Sequence, residues 1–106
     1  MRPGRKRFTL IVITWMAGLV PAQAETIQVV IEKLVFSPAE INAKVGDTIE
    51  WVNKDVLAHT ATVRDGWDVP IAANKSATLV LKNAGAVDYY CRFHPNMKGR
   101  IVVEPR

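Results

Sequence analysis

Four side chains hold most of the chemistry this sequence can offer. Cys91, His94 and Met97 fall within seven residues, in the order Cys-Arg-Phe-His-Pro-Asn-Met, and the only other histidine, His59, lies 32 residues before the cysteine. A thiolate, two imidazoles and a thioether together suit copper, being soft enough for Cu(I) and rich enough in nitrogen for Cu(II). Zinc would accept the cysteine and the histidines but gains little from a thioether. A nucleophilic thiol with a histidine base is the catalytic alternative, and no oxyanion motif or orienting acid stands out to support it. Singly, each residue has a plainer role: a lone cysteine is commonly a small buried hydrophobe, and methionine fills gaps in a core. Three potential donors in one short stretch, in a chain with a single cysteine and so no intrachain disulfide, favour a metal.

The spacing also says what must hold these donors. On a helix, steps of three and six residues turn the side chains by about 300° and 600°, so they diverge, and Pro95 opposes a continuous helix. A loop leaving one strand at Cys91 and entering the next at Gly99 gathers all three around a point, with His59 closing the site from a neighbouring strand or loop. The flanking sequence supplies such strands. Ile27, Val29 and Ile31, then Ile41, Ala43 and Val45, then Ile49 and Trp51 recur at alternate positions, the period of half-buried strands. Further strands are expected at about 60–63, 76–81, 87–91 and 100–103. Turn signals fall at Ser37-Pro38, Gly46-Asp47, Asp65-Gly66, Pro70, Asn74, Asn83-Ala84-Gly85 and Lys98-Gly99. About seven short strands and no long helical periodicity predict an all-β fold, an antiparallel sandwich or small barrel.

The first 24 residues are of another kind. Arg2, Arg5, Lys6 and Arg7 precede an uncharged, mostly apolar run from Phe8 to Val20, and Pro21 leads into Ala22-Gln23-Ala24. This is the layout of a secretory signal peptide cleaved after Ala24, which implies a periplasmic destination. The apolar run has 13 residues, short of the roughly 20 that span a bilayer. Residues 25–106 are expected to form one domain. The 106-residue chain carries 14 basic and 10 acidic residues, a net +4, and the leader holds four of the basic residues and no acidic one. Ten of each remain, so the domain is neutral. With no basic stripe interleaved with aromatics, nucleic acid is excluded as a partner.

The segment Asp88-Tyr-Tyr-Cys-Arg-Phe-His-Pro-Asn-Met-Lys-Gly-Arg-Ile-Val-Val-Glu104, with Phe36-Ser-Pro-Ala-Glu-Ile, Val45-Gly-Asp-Thr-Ile-Glu-Trp-Val-Asn-Lys-Asp55 and Ala58-His-Thr60, resembles the cupredoxins. The short C-x2-H-x2-M loop resembles, among them, the amicyanin-like type I blue copper proteins. That resemblance implies a Greek-key β-sandwich binding one copper ion, with His59, Cys91 and His94 as equatorial ligands and Met97 as the weak axial one. It implies that Asn53 hydrogen-bonds the ligand loop and ties it to the adjacent strand. It further implies that the edge of His94 reaches solvent in an apolar patch with Leu57, Ala58, Phe93 and Pro95, the port for electrons. Arg92, Lys98 and Arg100 flank the loop and offer either a positive fringe to an acidic partner or ordinary strand-end charge. The function so implied is a one-electron carrier between redox proteins, such as a c-type cytochrome or a periplasmic dehydrogenase. It acts as a monomer, without a small-molecule substrate and without catalysis. Copper delivery or storage through the same ligands is the alternative. Ala58, Phe93 and Asn96 stand where the family often has proline, proline and phenylalanine, departures that alter packing and leave the donors in place.

Overall fold

The computed structural model describes residues 23–106; the leader expected over residues 1–24 lies, but for its last two residues, outside the described residues. Nine strands are present among the described residues: β1 (Thr26–Glu32), β2 (Val35–Ser37), β3 (Glu40–Lys44), β4 (Thr48–Asn53), β5 (His59–Thr62), β6 (Asp68–Ile71), β7 (Ser76–Val80), β8 (Gly85–Tyr90) and β9 (Lys98–Glu104). They form two sheets, ordered β2-β1-β4-β7 and β3-β9-β8-β5-β6. The expected β-sandwich is therefore present, but two of its pairings differ from the antiparallel expectation. β1 runs parallel to β4 and β3 parallel to β9, so both sheets are mixed. Each parallel neighbour is reached by a chain path that passes through the other sheet, the kind of long connection a parallel pair requires.

Two strands escape the alternation pattern. β2 has three residues with only Phe36 buried, too short to show a period. β6 contains Pro70, which read as a turn signal. The residue pairs with Thr60 on an edge strand, where a missing N–H costs no ladder bond.

The core follows from strict alternation. Ile49, Trp51 and Asn53 of β4 point inward between half-exposed Thr48, Glu50 and Val52, and Gly99, Ile101 and Val103 do the same on β9. Trp51, Tyr89 and Phe36 are its largest fully buried side chains. Tyr89 meets Phe36 edge-on at 4.7 Å and Trp51 at 5.7 Å between ring centroids. Trp51 Nε1 donates to the Tyr89 hydroxyl at 3.3 Å, and burial pushes the Tyr89 phenol up to about 12. Tyr89 lies two residues before Cys91, and both are buried. The strand that anchors the sandwich thus delivers the thiol to its inner end.

Opposite Tyr89 on β9 stands Gly99. A Cβ at Gly99 would fall under 3.0 Å from the Tyr89 ring and hydroxyl. A buried ring held by three neighbours has nowhere to move. Gly99→Ala is expected to lower the unfolding free energy by about 1–3 kcal/mol, measured by denaturant unfolding of the metal-free protein.

Candidate metal centre

Cys91, His94 and Met97 sit at the corners of a doubly turned loop. His94 N–H donates to the Cys91 carbonyl at 3.2 Å, Met97 N–H to the His94 carbonyl at 2.8 Å, and Cys91 N–H to the Met97 carbonyl at 3.1 Å. Two successive turns of three residues replace the helical turn, and the third bond closes them into a ring. This is why a three-residue spacing converges here, whereas on a helix it would fan out. His59 arrives from the first position of β5, paired with Ile71 of β6.

The donors meet. Cys91 Sγ lies 3.7 Å from His59 Nδ1 and 3.8 Å from His94 Nδ1, and the three atoms lie within 4.8 Å of one another. A metal bonded at about 2.0 Å to nitrogen and about 2.3 Å to thiolate sulfur, at trigonal angles, sets nitrogen and sulfur about 3.7 Å apart. The residues therefore fit a metal ion of the size copper or zinc presents, and the thioether of buried Met97 beside His94 argues for copper. Cys91 and His59 are fully buried, while His94 is half-buried.

The side chains that orient this set escaped the sequence pattern. Asp55 Oδ2 accepts from His59 Nε2 at 2.8 Å. That bond places the imidazole proton on Nε2 and leaves the Nδ1 lone pair facing the sulfur. Asp55 also accepts the Lys33 N–H at 2.7 Å and the Leu34 N–H at 3.0 Å. Burial pushes its carboxyl upward, but the Leu34 and Lys33 N–H groups and His59 outweigh that and hold it below its ordinary value. Lys33 and Leu34 form the two-residue turn between β1 and β2 with φ of 56° and 63°. Such a turn normally takes Asn-Gly, so the carboxylate compensates a strained pair.

Thr60 performs the tie expected of Asn53. Its Oγ1 accepts the Arg92 N–H at 2.9 Å and so joins β5 to the Cys91–Met97 loop. Its own N–H points at Cys91 Sγ, 3.4 Å away. Thr62 Oγ1 donates to Asp68 at 2.5 Å and lies 2.9 Å from Thr60 Oγ1. With the Thr62 proton committed to Asp68, the Thr60 hydroxyl donates to Thr62 and keeps a lone pair for Arg92. Asn53 braces the other loop. Its Nδ2 donates to the Leu57 carbonyl at 2.9 Å and to those of Ala72 and Ile71 at 3.2 and 3.4 Å, and its Oδ1 accepts the Asp55 N–H at 2.9 Å.

Leu57, Ala58, Phe93 and Pro95 are exposed and His94 is half-buried, and Leu34, carried there by the strained turn, lines the same 410 Å³ hollow as Phe93, His94 and Pro95. Of the three basic residues near the loop, Arg92 is paired with Asp68 at 2.9 Å and Arg100 with Asp88 at 2.9 Å, while Lys98 is exposed and has no ion pair among the described residues. Cys91, His59 and Asp55 also form the chain of contacts a thiol hydrolase would need, including an orienting acid absent from the sequence reading. A thiol with no exposed surface admits no substrate carbonyl.

A two-sheet sandwich with a thiolate and two imidazoles converging at the mouth of one sheet defines a type I copper protein in architecture. Comparison agrees: residues 6–103 match the family model of the cupredoxin-like domain, and the chain belongs to that family. Within it the chain is amicyanin-like. It is 32% identical over 95 residues to amicyanin of Paracoccus versutus, a match covering 83% of this chain and 70% of that protein. Its fold agrees at a TM-score of 0.70 and 32% identity with the reduced Cu(I) form of an amicyanin variant at pH 4, covering 83% of this chain and 89% of the other. An oxidised amicyanin variant gives 0.69 at 30% identity over the same shares. Amicyanin is a copper protein in both of those states, and copper is the cofactor of this one.

Asparagine cannot replace Asp55, because its carbonyl oxygen accepts at most two of the three N–H groups and its amide turns a donor toward a donor. Asp55→Asn is expected to weaken copper binding about 10–100-fold in competition titrations with a chelator, while Asp55→Glu retains part of the affinity.

Proposed function

We propose that the protein is a type I copper electron carrier working in the periplasm, with His59, Cys91, His94 and Met97 as its ligands. The observation that carries this reading is the approach of the two Nδ1 atoms to the Cys91 sulfur at 3.7 and 3.8 Å, together with Met97 in the same loop. Copper bound there supplies a one-electron couple between Cu(I) and Cu(II).

The rest of the mechanism belongs to the protein. Asp55 holds His59 in one tautomer and one rotation through either oxidation state. The ring of three backbone bonds fixes the loop that carries the other three donors. Ligands that do not move impose little reorganisation on electron transfer. The Thr60 N–H directed at the sulfur stabilises negative charge on the thiolate, which favours the reduced ion. His94 is the one imidazole that reaches the surface, and it does so among Leu34, Phe93 and Pro95. An apolar collar of this kind suits brief docking of another redox protein, such as a c-type cytochrome or a periplasmic dehydrogenase. Delivery of copper to an acceptor needs the thiolate to be reached by an incoming ligand, and full burial of Cys91 and His59 opposes that. The leader of residues 1–24, with its basic start and Ala22-Gln23-Ala24 end, supports export.

The copper-loaded protein is expected to show an intense blue thiolate-to-Cu(II) absorption and a reversible one-electron wave in voltammetry. Cys91→Ala abolishes the colour. Met97→Leu keeps it and raises the potential, because an axial donor that stabilises Cu(II) is lost. A colourless Cu(II) form, or zinc in protein isolated from its own compartment, would overturn the carrier.

A further inference from the structure

The end of the sandwich away from the metal centre contains a buried carboxylate with an unusual set of partners. Asp47, in the turn between β3 and β4, is 4% exposed. Its Oδ2 accepts the Lys44 N–H at 2.9 Å, and its Oδ1 accepts the Glu25 N–H at 2.9 Å and is paired with the Arg106 guanidinium. The Glu25 N–H, then Lys44 and Arg106, hold this carboxyl below its ordinary value against the opposing effect of burial. A buried carboxylate is sustained only by such compensation.

The residue supplying one of these contacts is the one that follows Ala22-Gln23-Ala24. Gln23 and Ala24 are exposed, and β1 begins at Thr26, so the Ala24–Glu25 peptide lies just outside the sheet. Cutting it removes no strand pairing. The Glu25 carbonyl, which accepts the Thr48 N–H at 2.9 Å, stays with the domain. Among the described residues, the contact of Arg106 Nη1 with the Gln23 carbonyl, 3.2 Å and exposed, is the one lost.

We propose that the Ala24–Glu25 bond is a processing site whose product, the Glu25 α-amine, is bound by Asp47, making the new terminus a structural ligand of the β3–β4 turn. Hydrolysis by an endopeptidase of the export machinery consumes one water, leaves a carboxylate on Ala24 and gives Glu25 an amine that takes up a proton. An amide donor at 2.9 Å from the carboxylate then becomes an ammonium at the same place. The charge is added where a buried negative charge already awaits it, and Arg106, freed from Gln23, keeps its contacts with Asp47 and with the Val45 carbonyl at 2.9 Å. This inference rests on the export reading and is independent of the copper site.

The ion pair raises the pKa of the amine above the ordinary 7.7–8.0 of a chain terminus. Its contribution is full below that value and is lost as pH rises through the higher folded value. The charged groups around the amine are Asp47, Arg106, Lys44, Glu104 and the Glu25 side chain, which line one cleft. Asp47, held below its ordinary value, stays ionised throughout this range.

The test exports the full chain under its own leader, beside a variant with Gly-Ser inserted between Ala24 and Glu25. Cleavage after Ala24 then leaves that variant's amine two residues from Asp47, while an amide N–H donates at Glu25. Mass and terminal sequencing are expected to place the natural terminus at Glu25. Between pH 8 and about 10 the natural protein is expected to lose about tenfold in its folded-to-unfolded ratio relative to the variant, the equivalent of one unit in the pKa of the amine. The Glu25 resonances are expected to titrate above the ordinary range in the natural protein and within it in the variant. A terminus elsewhere overturns the processing site and its capture and leaves export standing, whereas a chain retained unprocessed in the cytoplasm overturns the export reading as well. A Glu25 terminus with parallel stability curves and an ordinary titration overturns the capture by Asp47 alone and leaves export standing.

Discussion

A fully buried imidazole must have its outward nitrogen answered, and the Asp55 carboxylate that answers His59 fixes much else in this molecule. The same two oxygens hold the turn between β1 and β2 in a backbone conformation that lysine and leucine seldom adopt. One charge therefore sets the tautomer of a ligand, the path of a hairpin in the other sheet, and the position of Leu34 on the surface beside His94. Asn53 in turn holds Asp55 and the loop around it. The metal centre is consequently where the two sheets are joined by polar contacts, as Trp51, Tyr89 and Phe36 join them by apolar ones.

The two donor loops are built differently because they have different neighbours. The loop before His59 is irregular and is braced from inside by one amide side chain. The loop from Cys91 to Met97 is braced by its own backbone, and its link to β5 passes through the Thr60 hydroxyl. The chain of Thr60, Thr62 and Asp68 gives that hydroxyl a single orientation, so a surface ion pair between Asp68 and Arg92 reaches inward to the residue whose N–H faces the sulfur.

Much of this was legible in the sequence, for reasons that are physical. Strands buried on one face write their period into the chain, and β1, β3 and β4 could be read from their isoleucines and valines. Donors three apart beside a proline excluded a helix. What stayed hidden was whatever depends on pairing between distant segments. Nothing local distinguishes a parallel neighbour of β4 from an antiparallel one. Pro70 is a turn residue by type and an edge-strand residue by position. Asp55 carries only a four-residue offset from His59, which is meaningful once the chain between them is known to fold back. Thr60, adjacent to a ligand, was the nearest to being visible, yet a threonine in a strand is ordinary until its hydroxyl is seen to face Arg92.

The parallel pairing of β3 with β9 bears on how the molecule comes into being. Residues 40–44 wait for residues 100–104, and β9 is also the strand that holds β8 in the second sheet. Contacts so far apart in the chain incur a large loop-closure entropy and form late. The donors at 91, 94 and 97 lie on the connection that this last strand completes. Affinity for the ion thus arises only once β9 has paired, so a chain in which that strand is unpaired offers its cysteine without the geometry that would trap a metal there.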